Sequence, residues 1–315
     1  MGNCYWRRQV FEYHPLLGWW HLPYLYARVP LGQTYHHVAT NGVGMRTQRD
    51  YPKQRVAGRK RIIFLGDSYT AGDGVSNNDR FTDLLERRHA NLDAMNFGLN
   101  GSGTDQQLLI FESMAREYDA DAMVICICVE NIARNLYDCF PSFDWREQLV
   151  AYRPKPYFAL NGNTLELHNT PVPRERRKAD ELGDWRCSFP YIAGESDPYA
   201  IYKDADGVHW RTMKAILQRL LDGASGMPVF IVPMPMYNHY LGDNGPTYLP
   251  RFAELADTRR GIHLVDLLPA MLNVPINDRR GFRFPDDPHY TAAAHKLVAD
   301  ALEYQFALHA PTLLD

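Results

Sequence analysis

From residue 58 onward the chain alternates short apolar runs with amphipathic stretches. The runs are Ile62–Leu65, Ala94–Phe97, Ala122–Val129, Pro228–Pro233 and Ile262–Val265, each four to eight residues long, the length of a strand rather than of a helix. Between them apolar residues recur three and four apart. This occurs at Phe81, Leu84 and Leu85; at Leu108, Phe111, Met114 and Ala115; and at Met213, Ile216, Leu217 and Leu220. Further helices are predicted at 251–260 and after Thr291, where Leu297, Val298, Ala301 and Leu302 share a face. Strands alternating with helices predict an α/β fold around a parallel sheet. Ala122–Val129 is apolar on both pleat faces, as expected of a central strand covered by helices on each side. Thr104 and Gln107 are spaced as a capping box that would open the second of these helices.

Two stretches break the rhythm. Residues 1–57 are crowded with aromatics, among them Trp19, Trp20, Tyr24 and Tyr26, interrupted by Pro15, Pro23 and Pro30, and they carry Asn41-Gly42, a hairpin-turn signal. We expect a small β-rich addition whose aromatics pack against the main domain, with a platform for a ring-bearing substrate as the sharper reading. Residues 138–206 read as an insertion into the 58–315 domain: two alternating runs flank Asn161-Gly162, and Arg174–Lys178 is a solvated charge run.

Bulk properties narrow the class. The length of 315 residues suits one large domain with additions, and 45% apolar against 23% charged residues is ordinary for a globular chain. A net charge of −3 gives no basic footprint for nucleic acid or an anionic membrane. Five cysteines, Cys4, Cys126, Cys128, Cys139 and Cys187, lack metal-ligand spacing and are expected to be reduced thiols of a cytoplasmic protein. No apolar run is long enough to cross a bilayer, and the opening Met1-Gly2-Asn3-Cys4 has Trp6 where a myristoylation signal wants Ser or Thr. His36 and His37 would face opposite sides of a strand, and His289 and His295 are six apart, so no metal site or cofactor is expected.

The candidate chemistry begins where Ile62–Leu65 stops at Gly66-Asp67-Ser68. Open α/β sheets place chemistry at such carboxyl-terminal strand ends. A serine hydroxyl needs an imidazole to take its proton and a carboxylate to fix that imidazole's tautomer. Asp286-Asp287-Pro288-His289, just before the last predicted helix, supplies both. Asp286, three residues before His289, could fold back to its Nδ1–H; Asp287, two before, could do the same. An oxyanion also needs donors. The glycine-rich turn around Gly101 and the amide of Asn131, which directly follows the central strand, stand at two further strand ends. An aspartyl phosphatase reading of Asp67-Ser68-Tyr69-Thr70 fails because Tyr69 occupies the second acid's place, and no Gly-Lys-Ser/Thr phosphate loop follows.

These four blocks, Gly66-Asp67-Ser68, Gly101, Asn131 and Asp286-x-x-His289, resemble in order those of the SGNH/GDSL serine hydrolases over roughly residues 60–135 and 225–308. The resemblance implies a flavodoxin-like three-layer α/β/α fold. It implies Ser68 as nucleophile, His289 as general base and then acid, and Asp286, by the family's spacing, as orienter. The Ser68 and Gly101 N–H groups with the Asn131 side chain would form the oxyanion hole. The third block departs from the family's Gly-x-Asn-Asp, reading Val129-Glu130-Asn131-Ile132. The expected activity is removal of a short, acetyl-like acyl group from a polar small molecule or saccharide. An O-acyltransferase using the same site, and a decayed binding module for a glycan or acyl ligand, are the alternatives.

Overall fold

The computed structural model describes residues 10–32, 34–144, 149–184, 186–187, 199–224 and 226–315; the Met1–Trp6 stretch lies outside them. Its core is a five-stranded parallel sheet of β5 (Lys60–Leu65), β6 (Leu92–Asn96), β7 (Ala122–Cys128), β12 (Val229–Met234) and β13 (Ile262–Leu264), numbered with the hairpin strands given below. The spatial order is β13-β12-β7-β5-β6. Numbered within the sheet alone this is 2-1-3-4-5, the flavodoxin-like order, so the α/β/α expectation holds. All seven residues of β7 are buried, because right-handed crossovers place helices on both faces. The crossover from β5 to β6 runs opposite to those that return past β7, which sends their helices to opposite faces. Accordingly α2 (Phe81–Arg88) packs with the final helix Ala292–His309, and α3 (Thr104–Ser113) packs with α4 (Val208–Gly223).

The local elements are of the expected types and differ in detail. Gly103, not Thr104, is the N-cap of α3, and the Gln106 side chain, not that of Gln107, accepts from its N–H at 3.2 Å. The helix expected over 251–260 ends at Ala253, with a separate 3₁₀ turn at Thr258–Arg260. The N-terminal region is β-rich as expected, but its hairpins are β1 (Phe11–His14) with β2 (Gly18–His21) and β3 (Tyr26–Leu31) with β4 (Thr34–Ala39). Asn41-Gly42 lies beyond both. There the Asn41 side chain accepts from the N–H groups of Val43 and Met45, so Asn41 folds a loop rather than a two-residue hairpin turn.

Residues 138–206 contain β8 (Cys139–Asp144) paired with β9 (Leu149–Pro154), and β10 (Tyr157–Asn161) paired with β11 (Thr164–His168) about the predicted Asn161-Gly162 turn. The expectation of all-reduced cysteines is corrected here. Cys139 and Cys187, 48 residues apart in sequence, are joined in a disulfide, because the segment at 187 runs beside β8 and brings the two Cα atoms to 4.7 Å. Cys126 and Cys128 are free and buried in β7. Since disulfides characterise oxidising compartments, the bond withdraws the ground on which a cytoplasmic location was expected. Among the described residues, no helix is long and apolar enough to cross a membrane.

Both peripheral regions are pinned to the sheet's carboxyl edge by buried cations. Arg46, fully buried, donates to the carbonyls of Ala71 and Gly72, the last groups of α1 (Ser68–Ala71), and so braces the turn that carries Ser68. Lys155, between β9 and β10, pairs with Asp105 in the first turn of α3, both fully buried, and its other two protons are shared among the carbonyls of Arg134, Tyr137 and Pro156.

Candidate active site

β5 ends at Leu65, and the chain turns so tightly at Gly66 that a Cβ there would overlap the Thr70 side chain. Asp67 then caps α1, accepting from the Tyr69 N–H at 2.9 Å, and Ser68 becomes the first helical residue. Because β5 and β7 flank the point where strand order reverses, the loops leaving them diverge and open a crevice. Ser68 stands on one side and Asn131 on the other.

Ser68 and His289 meet across this crevice. The Ser68 hydroxyl donates to His289 Nε2 at 2.7 Å, and His289 Nδ1–H donates to Asp287 Oδ1 at 2.6 Å. The carboxylate expected there was Asp286. Residues Asp287–Tyr290 instead form a short strand, β15, paired with β14 (Arg283–Phe284). In a strand, positions two apart share a face, so Asp287 lies alongside His289, whereas Asp286 precedes the strand and is exposed. Asp287 also accepts from the backbone N–H of His289 at 2.8 Å, closing a turn that holds the pair together. The family spacing that favoured Asp286 therefore loses to strand periodicity.

Two tyrosines lock the histidine strand to the sheet. Tyr69, next to Ser68, donates to the Pro288 carbonyl at 2.9 Å, and Tyr290 donates to the Pro235 carbonyl just past β12. Burial by itself would lower the pKa of His289. The Asp287 hydrogen bond and the charges of Asp73, Asp287 and Asp67 outweigh it and leave the pKa raised. Burial likewise acts to raise Asp287, but its bond and charge interaction with His289 hold it below the usual carboxylate value. Such a pair stabilises an imidazolium once Nε2 has taken a proton.

The opposite side offers donors. Among the described residues, neither the Ser68 nor the Gly101 backbone N–H has a hydrogen-bond partner. Gly101 holds φ at +76°, in the left-handed region, and a Cβ there would press on the Phe140 ring. Asn131 donates one amide proton to Asp67, which leaves the other for the crevice. The block that departs from the family pattern thus keeps its amide oriented, through the aspartate next to the serine. Glu130 makes no ion pair among the described residues, and burial raises its pKa.

Ser68, Gly101, Asn131 and His289 line one cavity of about 560 Å³. Its walls come from the N-terminal addition, whose aromatics offered a platform for a ring-bearing substrate, and from the 138–206 insertion. Phe11 and Trp19 enter from the first N-terminal hairpin, and Phe140, Ser142 and Arg153 from β8 and β9. The Trp19 indole N–H donates to the Asn100 carbonyl at 2.9 Å, and its ring lies 5.7 Å from that of Phe140. The aromatics of residues 1–57 are therefore divided between packing, as with Trp20, and walling the cavity. Aromatic crowding was the available signal, but it does not say which ring faces which way. No group of three or more His, Cys, Asp or Glu among the described residues is placed to hold a metal ion.

The model of the GDSL-like lipase/acylhydrolase family matches residues 64–297. Similar solved structures include a member of the lipolytic G-D-S-L family from Veillonella parvula, at 14% identity over 80% of this chain and 98% of that one, TM-score 0.44. A lipase/acylhydrolase from Enterococcus faecalis matches at 14% over 78% and 95%, TM-score 0.46. An acetyl xylan esterase matches at 13% over 78% and 98%, TM-score 0.44. No curated protein sequence matches the chain.

Proposed function

The chain belongs to the GDSL-like lipase/acylhydrolase family, and on that premise we propose that it removes a short, acetyl-sized acyl group from a polar small molecule or saccharide, with Ser68 as nucleophile. The observation that carries this reading is the continuous hydrogen-bond chain from Ser68 Oγ through His289 to Asp287 at 2.7 and 2.6 Å.

In the proposed reaction Ser68 Oγ attacks the ester carbonyl as its proton passes to His289 Nε2, while the negative oxygen is received by the N–H groups of Ser68 and Gly101 and the free amide proton of Asn131. Collapse breaks the carbonyl–alkoxide bond, and His289 returns its proton to the departing alcohol. Water then attacks the acyl-serine, giving its proton to His289, and the acid leaves as Ser68 recovers its hydroxyl. Asp287 keeps the imidazole in the tautomer that each proton transfer requires. Support for a short acyl group comes from Phe140 pressed against the Gly101 turn, which narrows the space beside the oxyanion donors. The remaining volume, bounded by Phe11 and Trp19, is of the size that holds a small polar alcohol.

Ser68→Ala tests the assignment. Turnover of p-nitrophenyl acetate falls by about 10⁴-fold or more, and a fluorophosphonate probe that labels the parent chain leaves the variant unlabelled. Unchanged turnover in Ser68→Ala removes Ser68 from the mechanism. A parent chain that the probe does not label favours a binding module.

A further inference from the structure

Three arginines, Arg134, Arg153 and Arg283, line the same cavity as Ser68. Arg134 and Arg283 differ in what they already do. Arg134 lies near the buried Asp67 and Glu130 and tempers the charge of both, so its cation serves acids within the fold. Arg283 has no such task. Among the described residues no carboxylate comes within 4.0 Å of its guanidinium, and its one hydrogen bond, to the Pro285 carbonyl, is long at 3.5 Å. It is nevertheless held, lying over the Tyr237 ring at 4.8 Å to the centroid. Stacking fixes the plane of a guanidinium while leaving its in-plane N–H groups directed outward. A half-buried cation, pre-oriented in a cavity wall with most of its donors unspent, is suited to an anion.

Position says which part of the substrate would carry that anion. Arg283 stands on β14 opposite Tyr290 of β15, and its side chain lines the same cavity as that of His289 on β15. His289 hands its proton to the leaving alkoxide, so groups beside it face the alcohol half of the ester, while Gly101 and Asn131 face the acyl oxygen. Asp286, the carboxylate nearest in sequence, is exposed and makes no ion pair with Arg283.

Resting on the serine-hydrolase reading above, we propose that the natural substrate is the short-chain ester of an alcohol bearing a carboxylate or other anionic oxygen group, and that Arg283 is the specificity-determining residue that binds this group. The chemistry of ester cleavage is unchanged; the anion adds a charge-assisted contact that holds the leaving alcohol beside His289.

The test compares phenyl acetate with 4-acetoxybenzoate, which differ by one para carboxylate, in the parent chain, Arg283→Gln and Arg283→Lys. The parent favours 4-acetoxybenzoate in kcat/KM. Arg283→Gln lowers the ratio of the two kcat/KM values by roughly ten- to a hundredfold, the worth of one charge-assisted contact, and Arg283→Lys lowers it less. Using the ratio cancels any general damage from the substitution. A ratio that Arg283→Gln leaves unchanged, or a parent with no preference, overturns the proposal. Binding of 4-hydroxybenzoate to Ser68→Ala, followed by calorimetry with and without Arg283→Gln, separates the two readings. Arg283-dependent binding without parental turnover keeps the anion site and refutes hydrolysis; turnover without Arg283-dependent binding does the reverse.

Discussion

The carboxyl edge of the sheet and the walls built above it are held by different forces. At the edge, Ser68, Gly101 and Asn131 are placed by strands whose side chains are almost wholly buried, by tight glycine turns and by short-range caps such as Asp67 to Tyr69. The walls depend on long-range polar ties. Arg46 reaches α1 from the N-terminal region, Lys155 reaches α3 from residues 138–206, and the Cys139–Cys187 bond closes the latter region on itself. Apolar burial sets the geometry of the proposed attack, whereas buried charge and a covalent link hold the surfaces that would select the ester. Substitutions at the edge should therefore change the rate of chemistry, and substitutions at the ties should change stability and substrate affinity.

The sharpest way to break this comparison lies within the edge itself. Asp287→Asn keeps the shape but lets Nδ1 accept rather than donate, which strands the proton on Nε2 where it blocks Ser68. A loss of about 10⁴-fold in kcat is expected. Asp286→Asn, one residue away and exposed, changes kcat by less than about twofold, as surface substitutions generally do little. Steady-state kinetics on p-nitrophenyl acetate decides between the two. Equal losses, or a larger loss from Asp286→Asn, would show that the carboxylate bound in this structure is not the one that orients the base.

Next in size is the tie beneath the wall. Lys155 and Asp105 are both fully buried, and burial pushes the lysine pKa down and the aspartate pKa up against their mutual attraction. Removing one partner leaves the other as an uncompensated buried charge, a loss of about 3–5 kcal/mol. Lys155→Met should thus lower the denaturant midpoint markedly. Where the protein stays folded, KM for a polar-alcohol ester should rise more than kcat falls, because Phe140 loses its support while Ser68 and His289 do not. A variant of unchanged stability would show that the wall is held by something other than this pair.

This division also explains what was legible beforehand. Strand positions, the order of the sheet's elements and the convergence of Ser68, Gly101, Asn131 and His289 follow from local patterns, since buried strands are apolar runs and turns need glycine. The family's spacing points to Asp286, whereas Asp287 becomes the partner of His289 only because residues 287–290 form a strand, in which positions 287 and 289 share a face, and a proline-broken stretch shows no strand period in sequence. The Cys139–Cys187 bond, the wall role of Trp19 and the stacking of Arg283 on Tyr237 join residues distant in sequence, and no periodicity or spacing encodes such meetings.

The smallest expected effect tests whether the field around His289 is as drawn. The imidazole accepts the serine proton only when neutral, so kcat/KM should rise with pH with unit slope and level off above the pKa of the free enzyme's His289. That pKa is raised from 6.5, since Asp287, Asp73 and Asp67 together outweigh burial, so the acid limb should be centred above pH 6.5. Asp73 contributes through its charge and makes no hydrogen bond to the imidazole, so Asp73→Asn should slide the midpoint toward lower pH. The alkaline plateau of p-nitrophenyl acetate hydrolysis should stay nearly constant. The sign follows directly: removing a neighbouring anion makes the imidazolium less favourable, the neutral base appears at lower pH, and activity on the acid limb increases. A midpoint below pH 6.5 in the parent chain would mean that burial dominates, and a midpoint unmoved by Asp73→Asn would remove Asp73 from the set of charges that poise the base.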